Sequence, residues 1–165
     1  INFPQSWYVD GDASQFPLSD RLAVDQSLME AFLERDKPVL GICNGMQMLA
    51  CLHGCRMVSD IRATRDDIIP HDGDDLQHEA RIAPGTALAA ILGAGRIDVN
   101  TFHREAVVSV SDRVVASAHA PDGVIEAIEI PSRRFAVGLQ WHPELMAADH
   151  RGHRVFDAFV EAARS

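Results

Sequence analysis

An α/β layer fold is what the sequence predicts, on three observations. Helical patterns alternate with short apolar runs, one of those runs (Pro38-Val39-Leu40-Gly41-Ile42-Cys43) is unbroken, and a valine-rich stretch further on is punctuated by a turn signal. The first helical pattern begins at Ser19. Leu22, Leu28, Met29, Phe32 and Leu33 fall near one face, Asp25, Glu30 and Glu34 point away, and Ser19 or Asp20 suits the N-cap. The unbroken run that follows suits a strand covered on both faces, as in a parallel sheet flanked by helices. Residues 45–52 read as a second helix, closed at His53-Gly54.

Between residues 60 and 75 the chain turns polar and acidic (Arg65-Asp66-Asp67, Asp72-Gly73-Asp74-Asp75), which predicts a long surface loop. Pro84-Gly85-Thr86 introduces a short helix over 87–92, and 96–100 reads as a strand. Three valine-rich strands follow at 107–110, 114–118 and 124–130, the last two joined into a hairpin by Pro121-Asp122-Gly123. Residues 135–141 form another apolar strand. Over 154–163, Val155, Phe156, Phe159 and Val160 share one helical stripe.

Composition narrows the function. At 165 residues the chain suits a single domain spanning 1–165, and 15 basic against 24 acidic side chains leave a net charge of −9. Such a surface repels phosphate backbones, so no nucleic-acid partner is expected. No run approaches the roughly 20 apolar residues of a membrane helix, and no charged-then-apolar leader opens the sequence. Neither a membrane partner nor secretion is therefore expected. The three cysteines, an odd number, fit reduced thiols and a cytoplasmic setting.

Two constellations carry chemistry. Gly41-Ile42-Cys43-Asn44-Gly45 lies where a buried strand passes directly into a helix, the nucleophile-elbow pattern with cysteine in the central place. A reactive residue on so sharp a turn takes strained angles, and close approach at both flanks is expected to demand glycine. The helix N-terminus is expected to favour thiolate, and the Asn44 N–H to face a developing oxyanion. The competing reading makes Cys43 a buried small hydrophobe. Cys51 and Cys55 read as core thiols.

The second constellation is His142-Pro143-Glu144, after the last apolar strand. In an extended segment His142 and Glu144 would share a side, letting the carboxylate fix the imidazole tautomer while the other nitrogen acts on a thiol. Its alternative is a polar strand end. His71 and His78 flank the acidic loop without tight metal-ligand spacing, so a solvated loop is expected there, with no metal and no cofactor. Glu126 and Glu129 fall on opposite faces of one strand, which argues against an acid/base pair.

Together these residues resemble a class I glutamine amidotransferase domain, and most closely the branch that contains gamma-glutamyl-gamma-aminobutyrate hydrolase. The likeness rests on Lys37-Pro-Val-Leu-Gly-Ile-Cys-Asn-Gly-Met-Gln47, Val99-Asn-Thr-Phe-His-Arg-Glu-Ala-Val107, Ala120-Pro-Asp-Gly-Val-Ile-Glu-Ala-Ile-Glu129 and Gly138-Leu-Gln-Trp-His-Pro-Glu144. It implies a flavodoxin-like domain with a mostly parallel central sheet flanked by helices. It also implies Cys43 as nucleophile, His142 as general base and acid, and Glu144 as its orienter. Asn44 then belongs to the oxyanion site, and Gln47, Thr101, Phe102 and His103 to substrate binding. The implied activity is hydrolysis of the γ-glutamyl amide of a small amine through a γ-glutamyl thioester, without metal or organic cofactor. The implied partners are a γ-glutamyl amine or glutamine, with homo-oligomers allowed. Two alternatives stand beside it: a glutaminase module delivering ammonia to a synthase, and a non-catalytic binding or regulatory relative.

Two departures from the pattern matter. Arg104 and Glu105 stand where this branch carries a second histidine and a glutamine, a change that bears on the preferred amine. The branch also places a glycine-rich oxyanion turn just upstream of a segment like Ile1-Asn2-Phe3-Pro4. N-terminal βα units of about 60 residues are therefore expected to belong to a longer protein.

Overall fold

A computed structural model describes residues 3–9 and 20–165. Helix α1 (Asp20–Glu34) leads into strand β1 (Val39–Ile42), α2 (Asn44–Leu52), β2 (Arg56–Val58), β3 (Asp72–Ile82) and α3 (Ala87–Leu92). After these come β4 (Gly95–Phe102), β5 (Ala106–Ser109), β6 (Val115–His119), β7 (Ile125–Glu129), β8 (Ala136–Leu139) and α4 (Arg154–Arg164). Six strands form one sheet in the order β1-β8-β7-β6-β3-β4, and β2 pairs with β5 in a small second sheet. The fold is α/β, as expected. No helix among the described residues is long and apolar enough to cross a membrane.

Within the six-stranded sheet, parallel pairing is confined to β1 and β8, and the remaining pairs are antiparallel. The expected mostly parallel character thus holds only at the edge that carries the site, and the sheet as described is mixed. Connection length is the reason. Between β6 and β8 the strands are joined by short turns, which allow only antiparallel neighbours. The β6–β7 hairpin closes through the Gly123 N–H bonding to the Ala120 carbonyl at 2.9 Å, with Gly123 at φ +85°. This is the turn that Pro121-Asp122-Gly123 signals.

The expected acidic loop is shorter than its composition suggests. β3 begins at Asp72 and pairs with β4, with an irregular register between Asp72 and Gln77. Cross-strand pairing and a buried His71 override the polar composition of this stretch. β2 has no signal of its own in the sequence: three residues are held by pairing to β5.

Alternation along the strands divides two apolar cores. Ala136 and Ile128 join Met46, Met48, Leu49, Leu22 and Leu33 on the α1/α2 face. Val137, Leu139 and Ala127 join Leu88, Leu92, Trp141 and Val155 on the α3/α4 face. α1 buries only the Leu22 and Leu33 part of its expected stripe; Leu28 and Phe32 are exposed. The proposed Ser19 cap lies outside the described residues, and Asp20 is the first residue of α1. α3 is capped twice. Thr86 Oγ1 accepts from the Ala89 N–H at 3.0 Å, and the Glu129 carboxylate accepts from the Ala87 and Leu88 N–H groups at 3.0 and 3.2 Å.

Candidate active site

Cys43 stands alone between β1 and α2, at φ +52° and ψ −107°. That is left-handed backbone that an L-residue rarely adopts. The perch is held from both sides, by the Cys43 N–H donating to the Leu139 carbonyl of β8 at 2.7 Å and by the Gln47 N–H reaching the Cys43 carbonyl at 3.2 Å. Gly41 makes the bend feasible. A Cβ there would stand 2.6 Å from the backbone carbon and oxygen of Gly45. Its register partner on β8 is Gly138, where a Cβ would meet Met46 at 2.8 Å. Paired glycines therefore let α2 lie directly on the sheet. Gly45 differs from the expectation: a Cβ there would meet nothing within 4 Å. The close approach is needed at one flank only, because the atoms that crowd Gly41 are Gly45's own backbone.

Cys43 lines a cavity of about 700 Å³ whose wall also includes Asn44, His142 and Glu144. The two sequence constellations, a hundred residues apart, therefore line one cavity. His142 Nδ1 lies 2.7 Å from Glu144 Oε1. The route to that contact is not the expected extended one. Pro143–Leu145 is a single 3-10 turn with proline at its start, and the turn swings Glu144 back onto the ring. With the carboxylate on Nδ1, the proton sits there and Nε2 carries the lone pair.

Burial pushes the Cys43 thiol above the ordinary range, aided by the Glu105 and Glu144 carboxylates, while the Asn44 N–H pulls the other way. The N–H groups at the start of α2 thus oppose, without cancelling, the effect of burial on the thiol. Desolvation outweighs the few oriented N–H groups. The arrangement fits proton removal by a neighbouring base as the sulfur attacks.

Two further residues hold the site, and neither is singled out by sequence. Asn100 on β4 clamps the His142 backbone, its Nδ2 donating to the His142 carbonyl at 2.9 Å and its Oδ1 accepting from the His142 N–H at 2.8 Å. Gln140, fully buried, places Nε2 3.7 Å from the Cys43 sulfur. Their signal lies in the motif blocks themselves, since an amide that completes backbone pairing is indistinguishable in sequence from a solvated one.

The expected substrate-binding residues are distributed differently. Gln47 is buried beneath the cavity and is absent from its lining. Its Nε2 donates to Glu105 O and Gln140 Oε1, both at 3.1 Å, and its Oε1 accepts from Asn44 Nδ2 at 3.2 Å. Thr101 is wholly buried, its hydroxyl donating to the His71 carbonyl at 2.8 Å. Phe102 sets its ring edge-on to the His142 ring, 5.8 Å between centroids. His103 points into a buried group with His71, His78 and Glu126. The solvated loop expected around His71 and His78 is thus corrected: both rings are enclosed between strands. Of the two departures, Arg104 pairs with Asp72 at the surface. Glu105 accepts from the Tyr8 hydroxyl at 2.8 Å, and with burial it pushes that phenol well up.

Comparison with known proteins decides the family. Residues 9–144 match the family model described as Peptidase C26. The chain belongs to the Peptidase C26 family. Similar relatives include a Mycobacterium tuberculosis protein provisionally named a glutamine amidotransferase, 36% identical over 157 residues, covering 92% of this chain and 48% of that protein. Another is the gamma-glutamyl-gamma-aminobutyrate hydrolase of Escherichia coli O157:H7, 30% identical over 155 residues, covering 88% of this chain and 61% of that enzyme. The chain thus spans about half to three fifths of the length of these relatives. Among solved structures, a glutamine amidotransferase from Thermotoga maritima matches with a TM-score of 0.61 at 21% identity, over 87% of this chain and 55% of that one. At that identity the match establishes the class I glutamine amidotransferase fold.

Proposed function

We propose that the protein containing this chain hydrolyses the γ-amide bond of a small γ-glutamyl amine through a thioester on Cys43. The observation that carries the reading is the left-handed perch of Cys43 on the same cavity wall as the His142–Glu144 pair. His142 Nε2 takes the thiol proton as the sulfur attacks the γ-carbonyl carbon. The tetrahedral oxyanion is met by the Asn44 N–H at the start of α2. The C–N bond breaks as His142 returns the proton to the leaving amine. Water, deprotonated by His142, then attacks the thioester, and glutamate and the free thiol are regenerated. Glu144 stabilises the imidazolium in both halves. Phe102 bounds the His142 side of the site, while Gln47, Thr101 and His103 act from beneath as positioning residues.

The test is a panel of γ-glutamyl amines and glutamine, assayed with the complete natural protein and no partner. Release of amine from γ-glutamyl amines is expected, with glutamine a poor donor. The glutamine amidotransferase names among the relatives favour a second reading, ammonia delivery to a synthase. Turnover of glutamine alone, and only with a partner present, would establish that reading and remove the first. The pH profile has a defined sign. Because burial raises the thiol pKa, alkylation of Cys43 in the resting protein should be slow at pH 6. It should climb about tenfold per pH unit into the alkaline range, as read by peptide mass spectrometry. Fast alkylation in acid would instead reveal a standing thiolate–imidazolium pair.

Asn100→Ala tests the clamp. Losing both bonds frees the His142 backbone to drift, and kcat should fall roughly 10- to 100-fold. KM should change little, because Asn100 is absent from the lining of the Cys43 cavity. A fall in thermal stability with kcat intact would reduce Asn100 to a packing residue.

A further inference from the structure

The group around Glu126 takes no part in the bond-making steps of the reaction. Its carboxylate is completely buried, and His71, His78 and His103 converge on it with side chains 1%, 6% and 2% exposed. The outer nitrogen of each ring already has an acceptor. His71 Nε2 meets Asp122 Oδ2 at 2.9 Å, His78 Nδ1 meets the Glu79 carbonyl at 3.0 Å, and His103 Nδ1 meets the Glu105 carbonyl at 3.0 Å. A carbonyl only accepts, so in the neutral rings of His78 and His103 the N–H points outward; the Asp122 carboxylate, which also accepts from the Ile69 and Val124 N–H groups, fixes His71 the same way. The inner nitrogens, His71 Nδ1, His78 Nε2 and His103 Nε2, then present lone pairs to a carboxylate.

Those inner nitrogens lie 3.4, 3.4 and 3.5 Å from Glu126 Oε1, and neither they nor the two Glu126 oxygens have a hydrogen-bond partner. Four buried acceptors that face one another repel unless positive charge sits among them. The separations are long for hydrogen bonds. They match the edge of a tetrahedron of ligands about 2.0–2.1 Å from a central ion, which is about 3.3 Å. The donor atoms of His71, His78 and Glu126 all lie within 4.8 Å of one another.

We propose that His71, His78 and Glu126, with His103 beside the Glu126 carboxylate, bind a zinc ion, or a divalent first-row ion of similar preference. Neutral imidazoles with one carboxylate are a zinc donor set. The outward bonds to Asp122 and to the two carbonyls supply the second shell that such ligands characteristically have. A surface cavity of about 210 Å³ has His71 and His103 in its wall and gives the ion a route in. Bound there, the ion ties the segment before β3, β3 itself and β7 to one point, with His103 of the β4–β5 turn packed beside it. The Glu105 carbonyl that receives Gln47 Nε2 lies two residues from His103, so the ion braces the layer beneath Cys43 without touching substrate.

The experiment uses the complete natural protein, produced without a histidine tag in zinc-supplemented medium. Zinc is measured by plasma mass spectrometry, and the chelator-stripped protein is titrated with Co²⁺. About one zinc per chain is expected, together with the intense visible bands of four-coordinate cobalt and a melting temperature several degrees higher on zinc addition. Glu126→Gln and His78→Gln should lose the metal and the bands. Asp122→Asn should weaken cobalt binding about 10- to 100-fold while keeping the ligands themselves. Folded wild-type protein with less than about a tenth of an equivalent of zinc and no cobalt bands would overturn the site, and would leave protons as the charge that reconciles these groups. Retention of wild-type zinc and spectrum by both ligand variants would overturn it equally. Where a variant fails to fold, the wild-type zinc and cobalt measurements decide alone. None of these readouts depends on turnover, so they stand or fall separately from the proposed hydrolase activity.

Discussion

Cys43→Ala should abolish amine release from γ-glutamyl amines, by at least about 10⁴-fold, with circular dichroism and melting temperature close to the parent's. The expected loss is large because the sulfur is the only protein atom in the proposed sequence that forms a bond to the substrate carbon. The expected conservation of fold follows from the perch itself. Backbone bonds to Leu139 and Gln47 hold the turn, and alanine can make both. Cys43→Gly sharpens the test. At φ +52° glycine relieves strain of roughly 1–3 kcal/mol that cysteine and alanine both carry. The glycine variant should therefore be inactive yet melt higher than the alanine variant, the reverse of the usual ranking. Turnover that survives in Cys43→Ala would remove the thiol from the chemistry. A glycine variant that melts below the alanine one would show that the turn is not strained.

This site was legible in sequence to an unequal degree. The β1–Cys43–α2 junction announces itself, because an unbroken apolar strand, a reactive residue between glycines and an immediate helix have few other uses. His142 and Glu144 were legible as a pair. The turn that joins them was not, since Pro143 is compatible with both an extended segment and the first position of a 3-10 turn. Composition failed at the start of β3, where Asp72 reads as loop and yet pairs with Phe102 of β4, because cross-strand bonding does not require an apolar side chain. It failed also at His71, whose burial depends on Asp122 and Glu126 some fifty residues later. Asn100 and Gln140 show the same limit within the motifs: the sequence places an amide there, while its work is defined by a partner that only the fold supplies.

Gly41→Ala and Gly45→Ala should give opposite results, although the two glycines look alike in the motif. At Gly41 the new methyl would stand 2.6 Å from the Gly45 carbon and oxygen and 2.8 Å from the Met46 nitrogen. All three are backbone, so no side-chain rotation relieves the overlap and α2 must lift away from β1. Overpacking of this kind costs about 1–3 kcal/mol or more. Here it also displaces Cys43, which lies between the two elements, and Asn44 with it. Destabilisation of that size together with loss of most activity is expected, read by denaturant unfolding and by kcat on a γ-glutamyl amine. At Gly45 the methyl meets nothing within 4 Å, the position is in the first turn of α2, and φ is not positive there. Alanine should then leave stability unchanged or raise it by about 0.4–1 kcal/mol through the lower entropy of its unfolded chain. Gly45 borders the Cys43 cavity, so a rise in KM at unchanged stability is compatible with that outcome. Equal tolerance of both substitutions would mean that α2 does not sit against β1 as described, and the perch of Cys43 would lose its physical cause.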